Sequence, residues 1–486
     1  MKTILSSLTL GIGITFLIPS VPPAFAAGVV GSGTPASCTD AALTTALTGG
    51  GTVTFNCGGS PQTIVVSQKV IAANTTIDGG NLITLSGGGA NRIFSVNNSR
   101  TFIVKNLTIA NGNSTAQGGG IFAGNNVQLI VSNSKFNNNI STSSATIFDG
   151  GGAIYISSGS QTIVQNSTFT GNQANNGGAI NNLLSNLTVT NSTFSNNSSL
   201  QTGSGGGGGA IYIDGAKGGN GTITFKQNTF NQNTAVFQGG GIFIQLYNSD
   251  KMTIDQSIIS SNSVTGGGAQ GFGGGFFLVG NPNTILNITN TTFSSNTASN
   301  QGGGFWTGTN GVINLTNSTL SGNRAESATN SVGNGGGIMR TNGKLVITNA
   351  TIANNYASFQ GGGIFGDPNV TIKNTIVANN IANNSGMGFN IKNNCFSLMT
   401  DGGNNLEFPN KNAADPSDNN CVTGIQIVNP QLGALGNNGG TTPTMPLLPG
   451  SPAVNGGNNA TCPTIDQRGV TRPQGGTCDI GAFELN

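Results

Sequence analysis

An all-β solenoid of stacked parallel coils is the fold class that the sequence predicts. Three observations carry it. A glycine-led apolar strand returns nine times, with its first apolar residue at Ile121, Ile154, Ile180, Ile211, Ile242, Phe276, Phe305, Ile338 and Ile364. The spacing runs between 26 and 34 residues, the period of an architecture in which each repeat is one supersecondary unit. Each glycine strand is followed by an alternating strand such as Leu187-Thr188-Val189-Thr190, whose period of two gives it one buried face. An Asn, and then a Phe-x-x-Asn step such as Phe194 to Asn197, follow in turn. Two Asn turns and one glycine-rich corner close a three-sided coil. Ten to thirteen such coils, strand over identical strand at about 4.8 Å, make a rod roughly 50–60 Å long.

The chain begins with Met1-Lys2, an apolar run from Ile4 to Ile18, and Ala24-Phe25-Ala26-Ala27. This reads as a secretory signal peptide over 1–26, so the mature chain is expected outside the cytoplasm, extracellular or on the outer cell surface. The apolar run is short for a membrane span. No transmembrane segment is expected in the mature chain.

Residues 27–66 read as an N-terminal cap. Thr39 is placed to cap a short helix to Leu47, with Asp40 in its first turn and Gly49 past its end. A solenoid end exposes strand edges and core, and this helix is its expected lid. Strands follow at 52–55, 63–66, 75–77, 83–85, 92–96 and 101–104. Coils are expected over 67–392.

Within the coils two columns of turn residues stand out. The first is Asn133, Asn166, Asn191, Gln227, Gln256, Asn290, Asn317, Asn349 and Asn374. Stacked amides at a bent corner donate to one neighbour and accept from the other, and Asn tolerates left-handed backbone. This column is the expected structural ladder. The second runs Asn139, Asn172, Asn197, Asn233, Asn262, Asn296, Asn323, Asn355 and Asn380. Many sit in Asn-x-Ser/Thr, the glycosylation acceptor pattern; the ladder is the preferred reading.

The pairing of Gly-Gly-Ala-Ile with Phe-x-x-Asn over residues 118–380 resembles the repeats of bacterial polymorphic outer-membrane proteins. Thr75-Thr76-Ile77-Asp78-Gly79-Gly80 resembles early coils of pectin-lyase-like β-helices. Both imply a single right-handed parallel β-helix. After Asn394 the repeat dissolves. The closing stretches Leu448-Pro449-Gly450-Ser451-Pro452-Ala453, Asp466-Gln467-Arg468-Gly469 and Cys478-Asp479-Ile480-Gly481-Ala482-Phe483-Glu484 are similar to the choice-of-anchor Q type of C-terminal segment. That resemblance implies export and surface display. Asn455 stands where that family usually has Asp.

Six cysteines, Cys38, Cys57, Cys395, Cys421, Cys462 and Cys478, fit an oxidising compartment. Six allow fifteen connectivities; proximity favours Cys38–Cys57, Cys395–Cys421 and Cys462–Cys478. The last two pairs would staple residues 393–486 as a C-terminal cap. Without C-x-x-C spacing, no metal site is expected.

Only 7% of residues are charged and 79 are Gly, a composition close to that of disordered chains. The sustained apolar alternation argues for a packed core instead. A net charge of +2 with no Lys/Arg run does not suit a phosphate backbone, so no nucleic acid partner is expected. With no His, imidazole chemistry is excluded, and no cofactor is implied. The repeat carboxylates are Asp149, Asp214, Asp250, Asp255, Glu326 and Asp367. Asp214 and Asp367 hold equivalent outward positions five coils apart, about 24 Å, too far for a glycosidase pair at about 5 to 9.5 Å. Asp466, Arg468, Arg472, Asp479 and Glu484 crowd the C-terminus and read as an ion-pair network locking the cap.

One further column is aromatic. The residue after each glycine-strand Ile or Phe is Phe122, Tyr155, Asn181, Tyr212, Phe243, Phe277, Trp306, Met339 and Phe365. If Ile211 and Ile213 face inward, Tyr212 faces out. The expectation is an exposed aromatic strip that binds glycans, with Phe122, Tyr155, Tyr212, Phe243, Phe277, Trp306 and Phe365 as contacts. The competing readings are that a neighbouring insertion covers it or that the inside-out phase is the reverse. The function expected is a non-catalytic, adhesin-like or structural rod that binds extracellular glycans or surface partners. The alternative is a polysaccharide lyase or glycoside hydrolase.

Overall fold

The structure, a computed structural model, describes residues 26–486 apart from 145, 147, 202–205, 267–269, 328–331, 412, 414 and 416. The signal-peptide reading therefore falls outside the described residues. The chain is a right-handed parallel β-helix of about 13 turns. Three sheets of 26, 11 and 10 strands line its sides among the described residues. The largest carries two strands per coil. Gln128–Ser132 and Lys135–Asn137, for example, stack in parallel register on Gln161–Gln165 and Thr168–Thr170. The 11-stranded sheet is built from the glycine strands, Ile154 over Ile180 over Ile211 over Ile242.

Period two fixes which side chains fill the tube. The strand Asn186–Thr190 buries Leu187 and Val189 and leaves its polar residues half-buried. Phe136, Phe169, Phe194 and Phe230 stack inside with centroids 4.7, 4.7 and 5.0 Å apart, the spacing of the coils. Glycine is required where coils touch by backbone alone. A Cβ on Gly240 would stand 2.4 Å from the carbonyl oxygen of Gly274 on the next coil.

The continuous amide ladder is the second Asn column, a correction to the sequence expectation. Nδ2 of Asn139 donates to Oδ1 of Asn172 at 2.9 Å, and the chain of donations continues through Asn197, Asn233, Asn262, Asn296, Asn323, Asn355 and Asn380 to Asn394. Asn197 shows how each rung is satisfied. Its Nδ2 also donates to Phe169 O, and its Oδ1 also accepts from Asn172 N. The ladder ends on a carboxylate, with Asn394 Nδ2 3.2 Å from Glu407 Oε1.

The first column has a different role. Its nine residues all hold left-handed backbone, with φ between 45° and 56°, and bend the large sheet. Amide-to-amide bonds join only some of them, as from Asn191 to Asn166 and from Asn374 to Asn349. Asn290 turns instead to Asp255.

At the N-terminal end, the helix Asp40–Ala46 is capped by Thr39, whose hydroxyl accepts from Ala42 N at 3.1 Å. Leu43 and Ala46 enter the core, and Asp40 pairs with the buried Lys69. The disulfides are Cys38–Cys57, Cys395–Cys421 and Cys462–Cys478, the connectivity that proximity favoured.

At the other end the chain doubles back. Residues 429–486 form an irregular strap along the outside of the large sheet, over the first Asn column. Asn374 Oδ1 accepts from Asn458 N, and Gly481 N donates to Asn374 O. One coil on, Asn349 Nδ2 donates to Asp479 O. Asn317 Nδ2 donates to Ile465 O, and Asn290 O accepts from Thr442. Met445, Leu447, Ala453, Ile480 and Phe483 form a second apolar cluster against Ile376, Ala378 and Leu406.

Candidate functional site

The aromatic residues do form a column. Tyr212, Phe243, Phe277 and Trp306 sit in register on successive glycine strands, with centroids 4.7, 5.2 and 4.6 Å apart. They pack as a cluster separate from the core, joined by Phe272 and Val279. The phase expected from the sequence therefore holds, and these rings face away from the tube.

The exposed strip does not exist. Tyr155 and Phe277 are 5% exposed, and Tyr212 and Phe243 are 1% exposed. Phe122, Trp306 and Phe365 are half-buried. Insertions between the short third-sheet strands and the glycine strands provide the cover. Phe272 stacks 5.4 Å from Trp306, and Phe148 O accepts from Asn181 Nδ2. The physical cause is area, because each ring carries about 150–250 Å² of surface whose burial is favourable. Tyr155, Tyr212, Phe243 and Phe277 thus have almost no surface to offer a ligand.

A cavity of about 650 Å³ is lined by Phe148, Ser158, Leu183, Leu184, Asp214, Gly218, Gly219, Tyr247 and Asn248. Asp214 ends the strand Ile211–Asp214 and lies in register between Leu183 and Gln245 of the flanking coils. Its residue is 3% exposed, and its Oδ1 accepts from the Tyr247 hydroxyl at 2.6 Å. Burial pushes the Asp214 carboxyl up from its ordinary value, and the Tyr247 hydrogen bond partly offsets this. Burial, with the charges of Asp149 and Asp214, pushes the Tyr155 phenol up to about 12. The phenols of Tyr212 and Tyr247 are likewise raised, in the first place by burial.

The neighbouring acids are committed elsewhere. Asp250 accepts from the backbone N–H groups of Ala216, Gly221 and Tyr247 and so fixes the loop that presents Tyr247. Asp149 accepts from Ser143, Thr146 and Gln117. Among the described residues, Asp214 is the one charged side chain lining the cavity.

The apolar wall is unusual at Leu184. Its φ is +43°, and every other non-glycine residue with positive φ among the described residues is Asn, Ser or Gln. A bulky side chain in left-handed backbone is strained, of order 1–3 kcal/mol, and such strain gathers at functional sites. Leu184 and Phe148 are 37% and 39% exposed at the lip.

Asp214 had been singled out as an outward carboxylate. Tyr247, Phe148 and Leu184 had not, because they lie in turns and insertions outside the repeat register. Their spacing from the glycine strand carries no signal that would have found them.

Asp367, at the equivalent position, sits in a different setting. It pairs with the buried Arg340 at 2.6 Å in an open cleft of about 670 Å³ that also holds Lys344 and Thr400. The two acids do not form a pair.

A family model described as "Right handed beta helix region" matches residues 74–289. Over those residues the chain is similar to right-handed β-helix proteins. No curated protein was found to match the chain.

Proposed function

We propose that the chain is an exported β-helix rod that binds a glycan without cleaving it, and that the Asp214–Tyr247 cavity is the binding site. The single observation that carries this reading is the make-up of the cavity. One buried carboxylate, held by a tyrosine hydroxyl, stands among apolar and aromatic walls. Sugar rings present apolar faces and hydroxyl edges, and such a cavity offers a partner to each. Phe148 and Leu184 would take the ring face, and Asp214 would accept from a hydroxyl.

The non-catalytic part rests on the missing second group. Glycoside hydrolysis uses two carboxyls about 5 to 9.5 Å apart, and the described lining residues supply one acid and no Arg or Lys. Export is supported by three disulfides and by the leader-like residues 1–26. Surface display is supported by the resemblance of the C-terminal segment. No helix among the described residues is long and apolar enough to cross a membrane.

The test is a glycan array probed with the chain from residue 27 onward, alongside Asp214→Asn and Tyr247→Phe. Binding to a defined glycan class that falls by about tenfold in each variant supports the site. Binding that survives both variants places the ligand elsewhere.

A further inference from the structure

The strap shows what the first Asn corner can read. In three successive coils the contact is made at the same two positions, an Asn and the Thr two residues on, through the Asn side chain in two coils and its backbone carbonyl in the third. In Asn290-Thr291-Thr292, the Asn290 backbone carbonyl accepts from the Thr442 hydroxyl, and the Thr292 hydroxyl donates to Pro443 O at 2.6 Å. In Asn317-Ser318-Thr319, the amide donates to Ile465 O at 2.7 Å and the hydroxyl to Gln467 Oε1 at 2.6 Å. In Asn349-Ala350-Thr351, the amide donates to Asp479 O at 3.1 Å and the hydroxyl accepts from Ala482 N at 3.1 Å. Most of these partners are backbone groups of an irregular, extended chain. Thr292, Thr319 and Thr351 are buried beneath it.

The pattern is interrupted at Gln256-Ser257-Ile258, where Ile replaces the Thr, and returns in the three coils before it. Asn166-Ser167-Thr168 and Asn191-Ser192-Thr193 repeat it, and Gln227-Asn228-Thr229 repeats it with the longer amide. Asn166, Asn191 and Gln227 are exposed, and the three threonines are half-buried. Their backbone is left-handed, like that of the covered corners. Thr441, at the end of the strap, borders a groove of about 650 Å³ whose lining includes Asn166, Asn191, Gln227 and Thr229.

We propose that this uncovered corner is a docking surface for an extended, uncharged polypeptide segment of a partner protein, held as the strap is held. The occupant follows from continuity with the strap interface. The groove borders it at Thr441, offers the Asn166, Asn191, Gln227 and Gln256 amides at the coil spacing with the Thr229 hydroxyl, and has no charged side chain among its described lining residues. Backbone groups recur along any extended chain, so amide–hydroxyl pairs one coil apart can each find one. This surface is separate from the glycan cavity and does not depend on it.

The probe is a fluorescently labelled peptide of residues 438–447, the stretch of strap that contacts Asn290 and Thr292, titrated into the full chain. Two double variants go with it, Asn191→Asp with Thr193→Val and Gln227→Glu with Thr229→Val. Asp keeps the tolerance for left-handed backbone and removes the amide donor. Circular dichroism checks that each variant is folded, and the second stands in if the first is not. The expected result is saturable binding, weakened by about tenfold in a folded variant and not displaced by maltohexaose. Absence of binding, binding indifferent to the substitutions, or displacement by the oligosaccharide overturns the proposal.

Discussion

Arg472 Nη1 lies 2.8 Å from Glu484 Oε2, and each side chain is 1% exposed. Backbone groups surround the pair. Arg472 also donates to Asp479 O and Gly481 O, and Glu484 accepts from the N–H groups of Gln474 and Asp479. Asp466 pairs with Arg468 at 2.8 Å and accepts from Glu484 N. These contacts fold the end of the strap against itself and set the height at which Asp479 and Gly481 meet Asn349 and Asn374.

Removing one partner leaves the other charge buried and uncompensated. Arg472→Ala is expected to cost about 3–5 kcal/mol and to release the strap. Denaturant unfolding measures the first effect. Limited proteolysis measures the second, as new cleavage within residues 429–486. An unchanged midpoint with an unchanged digest pattern would contradict the locking role.

The two Asn columns should differ sharply in cost. Asn233 is fully buried and donates to Asn262 Oδ1 and Phe194 O, while accepting from Asn197 N and Nδ2. Asn233→Ala strands several buried groups, each worth about 1–3 kcal/mol, and is expected to cost at least about 3 kcal/mol. Asn191→Gly, at an exposed left-handed corner where Gly fits, should cost less than about 1 kcal/mol. Thermal or urea unfolding of the two variants compares them directly.

Stability should fall as pH rises through neutrality. Burial pushes Glu407 up to about 7 from its ordinary 4.5, helped by the nearby charge of Asp418 and opposed by hydrogen bonds from Cys421 N and Asn394. Between these values the folded chain holds a proton that the unfolded chain has lost. The contribution is therefore full below 4.5 and is lost as pH rises through 7, by about 3 kcal/mol. Urea midpoints between pH 5 and 8 should decline, and Glu407→Gln should remove most of that slope. A slope unchanged in Glu407→Gln would assign it to another group.

Much of this could be read before the structure was known. The period of two in Leu187-Thr188-Val189-Thr190 and the glycine triplets specify coils, because both obey the register that stacks them. The outward phase of Tyr212 followed from the same rule. Its burial did not, since the cover comes from insertions such as that of Phe272, which share no period with the repeat. The strap was invisible for a related reason. Residues 429–486 have no periodicity, and their partners are Asn and Thr side chains that a corner ladder already explained. The ion-pair cluster was legible because five charges in nineteen positions stand out in a chain that is 7% charged.

Leu184 is expected to trade stability for binding. Leu184→Gly accepts the positive φ without strain, so it should leave stability unchanged or raise it by up to about 1 kcal/mol. It also removes the apolar lip of the cavity and should weaken glycan binding. A variant that loses stability and keeps its binding would mean that Leu184 serves packing alone.

The most direct test of the central claim is to hold the chain with whichever oligosaccharide the array selects and to follow both partners by mass spectrometry. The account predicts a complex with the wild-type chain, markedly less of it with Asp214→Asn, and an oligosaccharide of unchanged mass after prolonged incubation. Shortened or unsaturated sugar fragments that disappear in Asp214→Asn would contradict it and make this cavity an active site.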